Sequence, residues 1–221
     1  MQIFLDTANI EQIRKGAKLG VVTGVTTNPT LMMKEGLADY ETAIKEICSI
    51  IHGPVSVEVT AEEPTGMLQQ ARMMAKWAPN VVIKIPSTLT GLEVTNALVK
   101  EEIMVNFTLC FSVNQALLGA LAGASFVSPF VGRLDDIGND GIALVKEIVE
   151  VYEHYKFSTQ VIAASIRHPQ HCVDAAKVGA HIATVPYSVL VQMMQHPLTD
   201  VGCARFLADW KSVSLKSNKT G

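Results

Sequence analysis

The chain has 221 residues, 48% of them hydrophobic and 18% charged, enough apolar material for one sizeable core and so for a single domain over 1–221. A net charge of −3 offers no electrostatic footprint to nucleic acid or an anionic membrane, and neither is expected as a partner. Met1 leads straight into a strand-like stretch without a targeting pattern, and the longest weakly polar run, LLGALAGASFVSPFV, is too short and too broken by Gly and Pro to span a bilayer.

IFLDT (3–7) predicts a first strand, followed by a helix in IEQIRKGAKLG that opens after the cap residue Asn9 and stops at Gly20. GVTTN (24–28) reads as a strand, and ADYETAIKEICSIIHG (38–53) as a helix with Ile44, Ile47 and Ile51 on one stripe. VSVEV (55–59) precedes a helix with Pro64 near its start and Pro79 beyond its end. VVIKI (81–85), MVNFTL (104–109) and FVSPFV (126–131) continue the strand series, and GIALVKEIVEVYEHY (141–155) returns to a helical period. QVIAAS (160–165) and HIATVP (181–186) complete it. A C-terminal helix over about 198–214 then presents Val201, Phe206, Leu207 and Trp210, which need a cover from the barrel or a neighbouring subunit.

Strand alternating with helix implies a parallel sheet with right-handed crossovers. Eight such units in a chain of this length suit a small (β/α)8 TIM barrel, with an open doubly wound sheet as the competitor. Cys48, Cys110, Cys172 and Cys203 form no CxxC pair, which points to reduced thiols and a cytoplasmic location.

The polar residues favour the barrel. Asp6, Asn28, Glu58, Lys84 and Thr108 lie at or near the ends of the first five predicted strands; Arg133 follows the sixth, Ser165 and Arg167 the seventh. In a barrel these ends meet at one rim, where such enzymes keep their chemistry. Lys84 stands out, because an ammonium in an otherwise apolar strand is costly to desolvate. Burial can lower a lysine pKa by up to about 3–5 units and free the amine as a nucleophile toward a ketone. The resulting iminium ion is an electron sink for carbon–carbon cleavage, and Asp6 and Glu58 offer carboxylates for proton transfer. Taken alone, Lys84 equally suits a lysine that snorkels or pairs with a carboxylate, and Asp6 an acceptor of backbone amides before the first helix. The collection at successive strand ends favours chemistry.

Other constellations carry less. His168 and His171, three apart, are a conceivable metal pair, but no third ligand is evident, and His168 reads as a helix start before Pro169. GRLDDIGNDG lacks EF-hand spacing and reads as a flexible loop over the rim. Arg133, Ser165 and Arg167 suit a phosphate, with surface ion pairing as the competing use. No Walker loop or GxGxxG is present, which disfavours nucleotide.

LDTAN, GVTTNPTLM, VVIKIPST, NFTLCFS, SPFVGR and AASIRHP, in this order and across nearly the whole chain, resemble the motifs of the transaldolase family, in particular its short, fructose-6-phosphate aldolase-like subgroup. The resemblance implies a (β/α)8 barrel working without metal or other cofactor. In it Lys84 forms the Schiff base, Asp6 exchanges a proton with the hydroxyl beside the broken bond, and Glu58 and Thr108 hold the proton-shuttling water. It further assigns Asn28, Asn106 and Ser128 to the hydroxyls of the three-carbon donor unit, and Arg133, Ser165 and Arg167 to the acceptor phosphate. Glu58 and Phe130 are transaldolase-like, where the aldolases resemble glutamine and tyrosine. The expected reaction moves a dihydroxyacetone unit from fructose 6-phosphate or sedoheptulose 7-phosphate to erythrose 4-phosphate or glyceraldehyde 3-phosphate, within the pentose phosphate pathway. An aldolase using free dihydroxyacetone is the alternative; a catalytically silent barrel and a metal-dependent aldolase stand further off. The resemblance also implies a homo-oligomer, with a decamer of two pentamers as the form it suggests.

Overall fold

A computed structural model describes residues 1–36 and 39–217. Ala38, at the head of the second predicted helix, and the last four residues of the predicted domain lie outside them. The first half of the chain runs β1 (Gln2–Asp6), α1 (Ile10–Lys18), β2 (Val22–Thr26), α2 (Pro29–Lys34), α3 (Tyr40–Ile50), β3 (Val55–Glu58), α4 (Pro64–Met74), β4 (Val81–Pro86) and α5 (Leu89–Lys100). The second half runs β5 (Val105–Cys110), α6 (Val113–Leu121), β6 (Phe126–Pro129), α7 (Val131–Asp135), α8 (Gly141–Tyr155), β7 (Gln160–Ala163), α9 (Pro169–Lys177), β8 (Ile182–Val185), α10 (Tyr187–Gln192) and α11 (Pro197–Ser217). All neighbouring strands are parallel, and β1 pairs with both β2 and β8, closing the barrel.

Local chemistry sets the helix starts. The Asn9 side chain accepts the Gln12 N–H at the head of α1, and the chain leaves that helix through Gly20 at φ +71°. Asp39 and Asp140 cap α3 and α8 in the same way. The predicted stripe Ile44, Ile47 and Ile51 is buried, as are Val145, Ile148, Val149 and Tyr152 along α8.

Strand alternation divides the apolar residues into two sets. One large cluster fills the space between strands and helices; Phe4, Val82, Phe126, Ile162 and Ile182 form a separate cluster inside the barrel. Two residues further along those strands, on the same side, come Asp6, Lys84, Ser128, Ala164 and Thr184. The barrel is thus plugged by an apolar layer below and carries above it a layer that is polar at every position but Ala164. Gly24 permits this packing: a Cβ there would stand 2.6 Å from the Phe4 ring.

Two expectations need correction. GRLDDIGNDG is not loop throughout, since Val131–Asp135 forms the short helix α7 with Val131, Gly132 and Leu134 buried. Strand β6 accordingly ends at Pro129, and Phe130 makes only an isolated parallel bridge to Ala164. Helix α11 exists, yet the barrel does not cover it: Val201, Phe206 and Leu207 are 64%, 73% and 56% exposed.

Candidate active site

At the C-terminal ends of the strands, one cavity of about 480 Å³ is lined by Asp6, Asn28, Glu58, Lys84, Ser128, Phe130, Arg133, Ser165 and Arg167. Asn106 and Thr108, the other two predicted site residues, are fully buried and do not line it. The pairing register explains the convergence. Glu58 on β3 is level with Lys84 on β4, Lys84 with Asn106 on β5, and Asp6 with Thr26 on β2.

Lys84 is 4% exposed. Its Nζ donates to the Thr27 carbonyl at 3.2 Å and lies 3.2 Å from Glu58 Oε2. Such a pair, enclosed on one side and open to a cavity on the other, leaves the carboxylate in reach of any proton the amine gives up. Burial raises the Asp6 carboxyl above its ordinary value, with the Lys84 charge and the Thr26 hydroxyl opposing that shift. Thr26 Oγ1 donates to Asp6 Oδ1 at 2.8 Å and lies 2.6 Å from Thr184 Oγ1. Because the single proton of Thr26 goes to Asp6, Thr184 is the donor in that second bond.

Asn28 has a double role. Its side-chain oxygen accepts the Leu31 N–H and caps α2, with Pro29 in the first turn, so its amide NH2 is what remains for the cavity. Asn106 sits beneath the cavity between two hydroxyls, donating to Ser56 Oγ at 3.0 Å and accepting from Ser128 Oγ at 2.7 Å. Its amide positions Ser128, which faces the cavity. Thr108 Oγ1 is buried and has no hydrogen-bond partner among the described residues. The next residue, Leu109, lines the cavity with φ +54°, and Ser165 does so with φ +59°. Left-handed backbone at non-glycine residues costs roughly 1–2 kcal/mol each and collects at functional sites.

Arg133 and Arg167 bring two guanidinium groups to the side of the rim supplied by β6 and β7. Arg133 stacks over the Phe130 ring, 4.8 Å from its centre, and Phe130 in turn meets the Phe111 ring edge-on. Arg167 pairs with Asp136 at 2.9 Å. His168 and His171 do not stand apart as a pair of metal ligands. His168 caps α9, its ring lies 3.7 Å from that of His171, and His171 bonds Asp135. Burial, and then the neighbouring His168, lower the pKa of His171.

Sequence reasoning missed Thr26, Thr184, Leu109 and Lys34, which also line the cavity. Thr184 had a readable signal, a hydroxyl in an apolar strand two residues before Pro186, which is the argument that singled out Lys84. Leu109 had none, since a leucine does not advertise a left-handed backbone.

The fold recurs in a mandelate oxidase mutant with a monooxide FMN adduct, with a TM-score of 0.59 and 14% identity. That match covers 84% of this chain, which spans 64% of the oxidase's length, and at such identity it speaks to the barrel alone. Sequence relatives are much nearer. A probable transaldolase of Dehalococcoides mccartyi is 68% identical over 214 residues, 96% of this chain and 99% of that one. Probable transaldolases of Roseiflexus sp. and Methanococcus maripaludis are each 56% identical over 212 residues, 96% of this chain and 98% of theirs. The model of the family described as transaldolase/fructose-6-phosphate aldolase matches residues 3–220. The chain belongs to the transaldolase/fructose-6-phosphate aldolase family.

Proposed function

We propose that this protein is a transaldolase that carries a dihydroxyacetone unit on Lys84, from fructose 6-phosphate or sedoheptulose 7-phosphate to erythrose 4-phosphate or glyceraldehyde 3-phosphate. The observation that carries the reading is Lys84 itself: nearly buried, held by Glu58 and the Thr27 carbonyl, in one cavity with Asp6 and the two arginines. The amine adds to the C2 ketone of the donor, and loss of water gives an iminium ion. The Asp6 carboxylate takes the C4 hydroxyl proton as the C3–C4 bond breaks, its electrons passing into the iminium to leave an enamine. The departing aldose phosphate is exchanged for another; the enamine attacks its carbonyl carbon, and Asp6 returns the proton to the new alkoxide. Water then releases the product and regenerates the amine. Glu58 and the unpartnered Thr108 hydroxyl serve the proton transfers of imine formation and hydrolysis. Asn28 and Ser128, the latter positioned by Asn106, bind the donor hydroxyls. The acceptor phosphate goes to Arg133, Ser165 and Arg167; the exposed Asp136 pair is worth at most about 1 kcal/mol, little for a dianion to displace.

The chemistry needs no metal or cofactor, and its place is the non-oxidative pentose phosphate pathway of the cytoplasm. The uncovered apolar residues of α11 support assembly with further copies of this chain, to a decamer of two pentamers.

The test is release of glyceraldehyde 3-phosphate from fructose 6-phosphate with and without erythrose 4-phosphate, together with borohydride trapping of the donor adduct. Acceptor-dependent release, with trapping abolished by Lys84→Arg, is expected. Equal steady release without acceptor would make the protein an aldolase using free dihydroxyacetone, and an adduct trapped at another lysine would overturn the assignment of Lys84.

A further inference from the structure

His171 touches neither the cavity nor the nucleophile, yet it is buried, at 7% exposed, and both of its ring nitrogens are engaged. Nδ1 accepts the main-chain N–H of Arg167 at 3.3 Å, and Nε2 lies 2.9 Å from Asp135 Oδ2. The bonds determine the tautomer: an accepting Nδ1 places the proton on Nε2, which donates to the carboxylate. The other oxygen of Asp135 accepts the Gly141 N–H at 2.9 Å, anchoring the carboxylate to the first residue of α8. The imidazole therefore joins the segment after β7, which carries Ser165 and Arg167, to α7, which carries Arg133. Two main-chain bonds tie the same segments nearer the barrel, from Val131 N–H to the Ala164 carbonyl and from Gly132 N–H to that of Ser165. None of these bonds reaches Arg167. Its N–H is held by His171, while its guanidinium pairs with the exposed Asp136 carboxylate.

We infer that His171 is the positioning residue of the anion site, fixing the Arg167 main chain through its Nδ1, with the Asp135 bond serving to set the tautomer, so that the two guanidinium groups act on one phosphate. The inference rests on the phosphate role given above to Arg133 and Arg167. Misplacing one donor of a bidentate pair by a fraction of an ångström weakens the anion while leaving the nucleophile untouched.

Two near-isosteric substitutions separate this role from simple packing. Asparagine can offer an acceptor near the position of Nδ1 but does not reach Asp135. Glutamine can offer a donor near Nε2 but loses the acceptor for Arg167. Affinity for inorganic phosphate, measured by calorimetry on the wild-type protein and on His171→Asn, His171→Gln and His171→Ala, needs no turnover. Expected is a loss of about tenfold for His171→Gln and His171→Ala, or about 1.4 kcal/mol, with His171→Asn within about threefold of wild type. In transfer assays His171→Gln should raise KM for glyceraldehyde 3-phosphate by a similar factor and leave KM for unphosphorylated glyceraldehyde unchanged. Equal phosphate affinity in all four proteins, an equal loss in Asn and Gln variants, or no phosphate binding by the wild type would overturn the inference. Wild-type protein that binds phosphate but transfers nothing would instead sink the transaldolase reading and leave the phosphate comparison standing.

Discussion

Asp6 shows what the site costs the fold. Burial raises its carboxyl above the ordinary value of 3.8, so the folded protein holds the charged form less well than the unfolded chain does. The linkage then has one sign: the two states agree below the ordinary carboxylate range, and stability is lost as pH rises through the raised folded value. Asp6→Asn should therefore raise the Tm at pH 7, with the gain closing as pH falls toward 3.8, while kcat drops by about 10²–10⁴ for want of the proton acceptor. Melts of the two proteins between pH 4 and 7 decide it; a less stable variant at pH 7 would mean that the bond from Thr26 outweighs burial. On the proposed reading, Phe130 and Glu58 are the residues that separate transfer from release. A phenol at position 130 could protonate the enamine that Phe130 leaves waiting for an aldehyde. Combining Phe130→Tyr with Glu58→Gln should raise the ratio of dihydroxyacetone release to transfer by about tenfold, some 1.4 kcal/mol in relative barrier. An unchanged product ratio would remove the account.

At the scale of elements, legibility followed the strength of the local signal. Helices α1 and α4 were readable from a cap or proline at the start, α3 and α8 from an apolar stripe, and all eight strands were found within a few residues of their observed limits. Asn28 was read as the end of a strand and is instead the cap of α2: one side chain serves both a helix start and the cavity, and sequence reports only the residue. Helix α7 was taken for loop because GRLDD has a glycine and two acidic residues but no helical period. What makes it helical is tertiary: the Val131 and Gly132 N–H groups bond carbonyls beyond β7, and a Cβ on Gly132 would meet the Ser165 carbonyl at 2.2 Å. The packing that brings Arg133 beside Arg167 thus depends on contacts between segments more than 30 residues apart in sequence.

For the molecule as a whole, α11 is the element that points to assembly. Its Val201, Phe206 and Leu207 are all exposed and spread around the helix, large apolar side chains that a second copy of the chain would cover. Light scattering should find a mass several times that of the 23.9 kDa chain, ten times for the decamer, and a chain ended before Pro197 should fall to lower mass. A full chain that scatters as a monomer would leave the helix solvated and the assembly refuted. The motifs from LDTAN to AASIRHP carried the resemblance to the family, while period, caps and order of elements were enough for the sequence alone to indicate eight repeating units, because those signals are local and recur down the chain. They also marked Lys84, Asp6 and Glu58, since a polar group in an apolar strand is legible wherever the strand lies. Only closure of the barrel decided that these groups share one cavity, that Thr26 and Thr184 stand behind Asp6, and that His171 holds an arginine rather than a metal. Those outcomes depend on strand register and on hydrogen bonds between distant segments, which no local pattern encodes.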